Sequence, residues 1–257
     1  MSKSGISVTI ITLNEEANIE RAIGSVAWAD EVIVVDSGST DRTRELAKKL
    51  GARVYSNPWL GYGQQKNFAH EKAKEQWVLN IDADEVVTSE LREEILSQIT
   101  QGSTSGFKIP RKTWFLNRWI MHGGWYPNYL MRLAKKSDAK WTEPAIHEEL
   151  LVRGVIENLK NPLLHYTFVD LKDQVTRNVR YAGLGADQLI ASRARPSLVK
   201  LLLKPIGKFI ETYFFKLGFL DGLPGFFISI NASHSMFLKY ARVFEKNWSQ
   251  DHANTHH

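Results

Sequence analysis

The first hundred residues alternate between short apolar runs and helical periods four times over, and that alternation restricts the fold more than any other feature of the chain. "SVTIIT" (7–12) is followed by "NEEANIERAIGSV", where Ile19, Ala22, Ile23 and Val26 recur at helical spacing and Asn14 is the expected N-cap. "EVIVVD" ends at Asp36 and leads through the turn "SGSTD" to a helix over 41–50 closed by Gly51. "ARVYS", a helix over 64–75, "WVLNID" and a helix from Ser89 to about Ile99 complete the set. Four such units with short links predict a Rossmann-like, mostly parallel α/β sheet with helices on both faces. Ligands of such sheets sit beyond the carboxyl ends of the strands. Here those ends are residues 12–15, 36–39, 57–63 and 82–85, all polar or glycine-rich.

The alternation stops near residue 105. Strand-like pieces follow at 106–110 and 128–134, with more at 149–155 and 160–167, so this part extends the sheet and shapes a second pocket. From 170 to 192 the pattern is helical, with Val175, Val179, Ala182, Ala186 and Leu189 on one face. Residues 197–217 read as short helices interrupted by Pro205. The expected organisation is an α/β domain over 1–168, with halves 1–104 and 105–168, and a helical extension over 169–257 that ends in a frayed "NWSQDHANTHH".

Composition removes several chemistries. There is no cysteine, which excludes disulfides, zinc–thiolate centres and thiol nucleophiles. No secretory signal is read at the N-terminus, and no apolar run reaches the roughly 18 residues of a spanning helix. Neither GxGxxG nor GxxxxGK[ST] occurs, which lowers dinucleotide dehydrogenases and P-loop NTPases. A diphosphate bound to this chain then needs a metal.

"NIDADE" offers one. Asp82 and Asp84 end the fourth strand two residues apart, so both project to one side while Ala83 points away. Hard Mg²⁺ or Mn²⁺ ions take one or two protein carboxylates plus substrate phosphates. The alternative is an acidic turn capping the next helix. Glu85 points the other way and reads as support. Asp36 suits a ribose hydroxyl or base N–H, or else an Asx-turn with Ser37 and Gly38. Thr12 and Glu15 close the first strand. Lys66 either reaches a phosphate or is a solvated helical lysine. "WTEPAIHEEL" supplies Glu143, His147, Glu148 and Glu149, one of which could deprotonate a hydroxyl. His165 reads first as a satisfied core histidine.

Together "VTIITLNEEANI", "VIVVDSGSTDRT", "GYGQQKNFA", "NIDADE", "GGWYPNYLMRL" and "IHEEL" resemble the family 2 glycosyltransferases. With "LGFLDGLPGF", they are similar to the bacterial lipopolysaccharide inner-core β-glucosyltransferase subgroup. The resemblance covers most of the chain. It implies a GT-A fold whose 1–104 half holds a nucleotide-sugar donor, a UDP-sugar, and whose 105–168 half holds the acceptor. It implies an inverting transfer, of glucose, to a lipid-linked or lipopolysaccharide-core hydroxyl. By position, Thr12, Glu15 and Asp36 would hold the nucleoside and Lys66 would lie near the nucleotide. Asp84 would bind Mg²⁺ or Mn²⁺ directly, with Asp82 nearer ribose or a metal-bound water. Glu148 would be the base. Many members have Glu-Asp where this chain has His147-Glu148, which keeps Glu143 and Glu149 open and makes His147 or His165 an extra ligand candidate. Arg111 and Arg132 could contact the diphosphate or an anionic acceptor. Rival enzyme readings are sugar transfer to a polyprenyl phosphate and a sugar nucleotidyltransferase.

The net charge of +5 is concentrated near the end of the chain. Residues 191–216 hold six cations (Arg193, Arg195, Lys200, Lys204, Lys208, Lys216) against Glu211 alone. Leu198, Leu201, Leu202, Ile206, Phe209, Ile210 and Phe214 interleave with them, a pattern that suits an anionic membrane surface. The alternative is helices packed on the core or on another subunit, and nucleic acid is not expected on so apolar a face. The expected location is cytoplasmic, peripheral on the inner face of the membrane.

Overall fold

The computed structural model describes residues 4–100, 102–143, 148–193 and 195–253, with side-chain surroundings through Trp248. The strands are β1 (Ile6–Thr12), β2 (Glu31–Asp36), β3 (Arg53–Ser56), β4 (Trp77–Asp82), β5 (Glu85–Val87), β6 (Thr104–Phe115), β7 (Arg118–Ile120), β8 (Asn128–Lys135), β9 (Ala139–Trp141), β10 (Leu150–Val152), β11 (Val155–Asn158) and β12 (Leu163–His165). The helices are α1 (Ile19–Ser25), α2 (Thr43–Lys49), α3 (Tyr62–Lys72), α4 (Ser89–Gln98), α5 (Leu171–Ala191), α6 (Leu198–Ile210) and α7 (Gly222–Ala253). The chain divides into two compact units. One comprises residues 1–112 and 127–167, the other 113–126 and 168–257. The excursion 113–126 thus belongs with the C-terminal helices.

In the first unit the sheet runs β3-β2-β1-β4-β8-β6-β12-β5. β3, β2, β1 and β4 are parallel, as the strand–helix alternation predicts. β8 then joins β4 antiparallel and β6 joins β8 antiparallel. The reason is connectivity, because no helix links β6 to β8, and a parallel neighbour needs a crossover. β1, β2 and β4 read as almost continuous apolar runs because both their faces are covered. Alternate residues serve the two faces. Ile6, Val8, Ile10, Val34, Leu79 and Ile81 pack with Ile19, Ala22 and Ile23 of α1 and with Leu91 and Ile95 of α4. Ile33, Val35 and Val78 pack instead with Ala69 of α3 and with Ala73 just after it. Each such buried aliphatic side chain is worth roughly 1.5–3 kcal/mol.

Helix ends follow local chemistry with one correction. Thr88 caps α4 by accepting from the Leu91 N–H at 3.1 Å. α2 stops at Gly51, which takes φ +83°. Asn14 is not the cap of α1, which starts at Ile19 with Asn18 before it. Asn14 takes φ +56°, and its Oδ1 accepts from the Thr40 N–H at 2.9 Å, so it ties the loop after β1 to the loop after β2.

In the second unit Asp170 caps α5 and Ser197 caps α6. Pro205 does not interrupt α6. It is buried, and its carbonyl accepts from Ser233 Oγ of α7 at 2.8 Å, so packing overrides a local cost of about 3 kcal/mol. α7, 32 residues long, includes residues 247–253 of the end read as frayed, and residues 254–257 lie outside the described residues. Its opening "GLPGF" resembles a loop, yet proline is tolerated in the first turn of a helix.

Candidate active site

The register of the parallel strands brings the carboxyl ends together. Thr12 pairs with Asp36 across β1 and β2, and Ile11 pairs with Asp82 across β1 and β4. At that edge Asp36 is fully buried. Its Oδ1 accepts from the N–H groups of Gly38 (3.0 Å) and Ser39 (2.9 Å), and its Oδ2 accepts from Thr12 Oγ1 (3.1 Å) and from the Ser39 hydroxyl. Three of these four bonds come from its own loop and form an Asx-turn, and the fourth comes from the end of β1. Thr12 is its partner inside the protein. Glu15 Oε2 accepts from Asn18 Nδ2 at 2.9 Å, at the entry to α1.

The charged residues of "NIDADE" divide into different jobs. Glu85 is buried beneath the turn, and its Oε2 accepts from the Asp82 N–H at 2.9 Å. Its Oε1 meets Arg132 Nη2 at 2.7 Å and Arg111 Nη1 at 3.5 Å. Glu85 is therefore the support the sequence suggested. Asp82 shares that same Arg132 Nη2, at 2.5 Å, and lies 3.5 Å from Lys66 Nζ. Burial alone would raise the Asp82 pKa; the charges of Arg132 and then Lys66 overcome it and hold the carboxyl far below its ordinary range. Arg132 is correspondingly raised by Asp82 and Glu85 against its burial. It is 3% exposed, so it is a buried brace of the D-x-D turn rather than a side chain extended toward ligand. Arg111 is partly exposed beside it.

Asp84 meets His165 Nε2 at 3.3 Å. The pairing of β12 with β5 sets His165 opposite Glu85, and the Tyr166 N–H donates to the Asp84 carbonyl at 2.9 Å. Burial and the nearby Asp82 raise the Asp84 pKa, but the hydrogen bond and charge of His165, with the charge of Arg111, leave it below its ordinary value. His165 is hence neither a plain core histidine nor remote from the carboxylates.

Lys66 is 4% exposed, not a solvated helical lysine. Its ammonium lies 2.8 Å from Glu148 Oε1 and 4.5 Å from the centre of the Trp141 ring. α3 reaches this position because Gly63 touches the backbone after β9. A Cβ on Gly63 would fall 2.0 Å from the Thr142 carbonyl oxygen. Of the three candidate bases, Glu143 and Glu149 are exposed, while Glu148 is half-buried against Lys66. His147 lies outside the described residues. Gln65 was missed by sequence reading. Fully buried, it donates to Ser37 Oγ (2.9 Å) and accepts from Asn57 Nδ2 (2.8 Å), so it joins the loops after β2 and β3. Its double "QQ" carries no periodic signal that separates it from its exposed neighbour Gln64.

Four carboxylates (Asp82, Asp84, Glu85, Glu148) thus face three permanent cations (Lys66, Arg111, Arg132) at the ends of the parallel strands. A family model described as "Glycosyl transferase family 2" matches residues 7–154. The chain is a family 2 glycosyltransferase. A glycosyltransferase of Rickettsia bellii is 34% identical over 93% of this chain and 86% of its own length. The lipopolysaccharide core biosynthesis glycosyltransferase LpsC of Rhizobium meliloti is 30% identical over 95% and 94%. Among solved structures, glucosyl-3-phosphoglycerate synthase of Mycobacterium tuberculosis with Mn²⁺ and uridine diphosphate is 31% identical over 43% of this chain and 44% of its own, with a TM-score of 0.36. With the sheet described above, family membership gives this glycosyltransferase the GT-A α/β fold that the sequence led us to expect, followed by a C-terminal helical region.

The donor set of the glycosyltransferase fits a hard divalent cation only in part. Asp82 has its oxygens committed to Arg132 and Lys66, which leaves Asp84 with the His165 imidazole. Among the described residues no group of three or more His, Asp or Glu side chains is arranged around one point. One carboxylate completed by diphosphate oxygens and water is an arrangement Mg²⁺ commonly accepts, and the imidazole would suit Mn²⁺ better.

Proposed function

We propose that this glycosyltransferase moves glucose from a UDP-sugar to a hydroxyl of a lipid-linked, lipopolysaccharide-core acceptor in the cytoplasm, with inversion at the anomeric carbon. The observation that carries the reading is Lys66, which lies within reach of both the D-x-D turn and Glu148. That lysine joins the part of the site suited to a diphosphate to the part suited to a proton acceptor. The sugar, the UDP and the acceptor class rest on the subgroup resemblance and on the relative named for lipopolysaccharide core biosynthesis.

Asp84 and His165 would hold Mg²⁺ or Mn²⁺, which when bound offsets negative charge gathering on the departing nucleoside diphosphate. Lys66 and the partly exposed Arg111 add fixed positive charge at the same place. Arg132 and Glu85 keep the turn in shape. Glu148 accepts the proton of the acceptor hydroxyl as that oxygen attacks the anomeric carbon from the face opposite the diphosphate. The C–O bond to the diphosphate breaks in the same displacement, and the pair of electrons leaves with it. No covalent enzyme intermediate is required. Lys66, 2.8 Å from Glu148, orients that carboxylate before the acceptor arrives.

The test is a panel of nucleotide sugars offered with Mg²⁺ or Mn²⁺, scored by release of the nucleoside diphosphate and by transfer to a deglucosylated lipopolysaccharide core. UDP-glucose should be turned over in a metal-dependent way. Glu148→Gln should lower kcat by about 10²–10⁴ while UDP still binds. Undiminished transfer by Glu148→Gln, or release of pyrophosphate in place of a nucleoside diphosphate, would overturn the assignment.

A further inference from the structure

The second unit carries an unusual surface. α6 leaves Leu198, Val199, Leu202, Leu203 and Ile206 between 57% and 66% exposed, all within one stripe of the helix. The stripe continues past Ile210 into the corner between α6 and α7, where Phe215 is 81% exposed and Leu220 and Leu223 are 51% and 64% exposed. Isolated apolar residues on a surface need no explanation, but a contiguous run of this size marks a contact surface.

The corner is held rigidly in this shape. A Cβ on Gly225 would fall 1.9 Å from the Gly218 carbonyl oxygen, so the chain crosses itself there as closely as backbone allows. Asp221 is 1% exposed, and its carboxylate accepts from the N–H groups of Met121 (3.1 Å) and His122 (2.7 Å), while Arg118 donates to its carbonyl at 2.8 Å. The exposed rings are thus presented by a fixed turn, not by a loose end.

Charge decides what covers the stripe. Lys200, Lys204 and Lys208 follow one edge of it at intervals of four residues, and with Val199, Leu203, Met236 and, at one end, Glu211 they line one open groove of about 480 Å³ between α6 and α7. Glu211 is paired with Lys208 and Lys216, whereas Lys200 and Lys204 are exposed with no ion pair among the described residues. A second copy of this chain would bring an identical row of lysines against the first. An anionic surface with an apolar layer beneath it satisfies both halves of the pattern. No single described helix is long and apolar enough to cross a membrane, and the two stretches Leu198–Phe215 and Gly218–Trp248 meet at 69°. That bend suits a corner that dips into a leaflet, with α6 lying along it.

We propose that the C-terminal unit seats on an anionic phospholipid bilayer, with the α6 stripe and the Phe215–Leu223 corner entering the interface and the lysine-lined groove receiving lipid phosphate. Its natural site is the negatively charged inner leaflet of the cytoplasmic membrane. None of these residues belongs to the sugar-transfer set, so the proposal is tested independently of it.

The experiment is flotation of the full chain with equimolar phosphatidylglycerol–phosphatidylcholine vesicles and with phosphatidylcholine vesicles, alongside hydrolysis of UDP-glucose in solution. The protein should float with the anionic vesicles only, and high salt should release it. Each lysine near such a surface is worth about fivefold in partitioning, so Lys200→Glu with Lys204→Glu should weaken binding at least about 25-fold. Leu202→Ser with Phe215→Ser should abolish it, and hydrolysis should be unchanged in both variants. Equal binding to neutral vesicles, no binding to either, or a dimer in solution that the Leu202→Ser and Phe215→Ser changes dissolve would each overturn the proposal.

Discussion

The two units break the ordinary inside–outside rule in opposite directions. In the sheet unit, charge is buried: Lys66, Glu85 and Arg132 are all under 5% exposed. In the helical unit, large apolar side chains are exposed along α6 and the corner that follows it. Buried polar groups and exposed apolar patches are the informative departures in a folded protein. The contrast also separates two kinds of cost. A buried charge must be matched inside the fold, so its partners are visible: Arg132 has Asp82 and Glu85, and Lys66 has Glu148. An exposed apolar side chain is matched by something outside the fold, so only its chemistry can be read.

If that distinction is right, mutating the first region should cost stability and mutating the second should not. The largest loss is expected from Arg132→Met, which leaves Glu85 buried with its main partner gone. Removing one partner of a buried pair typically costs about 3–5 kcal/mol, and urea unfolding would show it. The same variant should change the acid limb of stability. Asp82 has its pKa depressed below the ordinary 3.8, so its contribution is present above that pH and lost as pH falls toward the folded value. With Arg132 gone, the principal lowering influence goes, and the dependence of the urea midpoint on pH below about 4 should flatten.

Next is Gly63→Ala. The new methyl has no room beside the Thr142 carbonyl, so α3 must move or the 142–143 backbone must yield, at about 1–3 kcal/mol. Because Lys66 is one turn further along α3, kcat should fall more than UDP affinity does. A smaller effect is expected from His165→Ala. Loss of the group 3.3 Å from Asp84 should weaken Mn²⁺ activation about 10–100-fold while the urea midpoint moves little, and a Mn²⁺ titration of activity would read it.

These residues also show how far the sequence could be read. The strand–helix alternation and the position of Asp82 and Asp84 were legible because each is a local pattern with a fixed period. Asp36 was legible as a type and ambiguous as a role, and three of its four hydrogen bonds form the turn that was one of the two readings. The bracing of Asp82 by Arg132 was not legible, since the two are 50 residues apart and an arginine in a strand announces no partner. The same holds for Lys66 with Glu148, 82 residues apart. Pro205 misled because local propensity argues for a break where burial against a neighbouring helix keeps the structure continuous.

The smallest expected effect is the one that sharpens the contrast most. Leu202→Ser removes a large aliphatic side chain, and in the β1–β4 core the equivalent change, Leu79→Ser, should cost several kcal/mol through the cavity and the buried hydroxyl. At position 202 the side chain is 61% exposed, so the serine hydroxyl stays hydrated and no cavity forms. The change in unfolding free energy should stay within about 0.5 kcal/mol, as for ordinary surface substitutions. A loss of 2 kcal/mol or more, read by urea denaturation of the full chain (roughly the penalty of truncating a core leucine), would mean that α6 buries its stripe within the folded protein. The two units would then obey one rule after all.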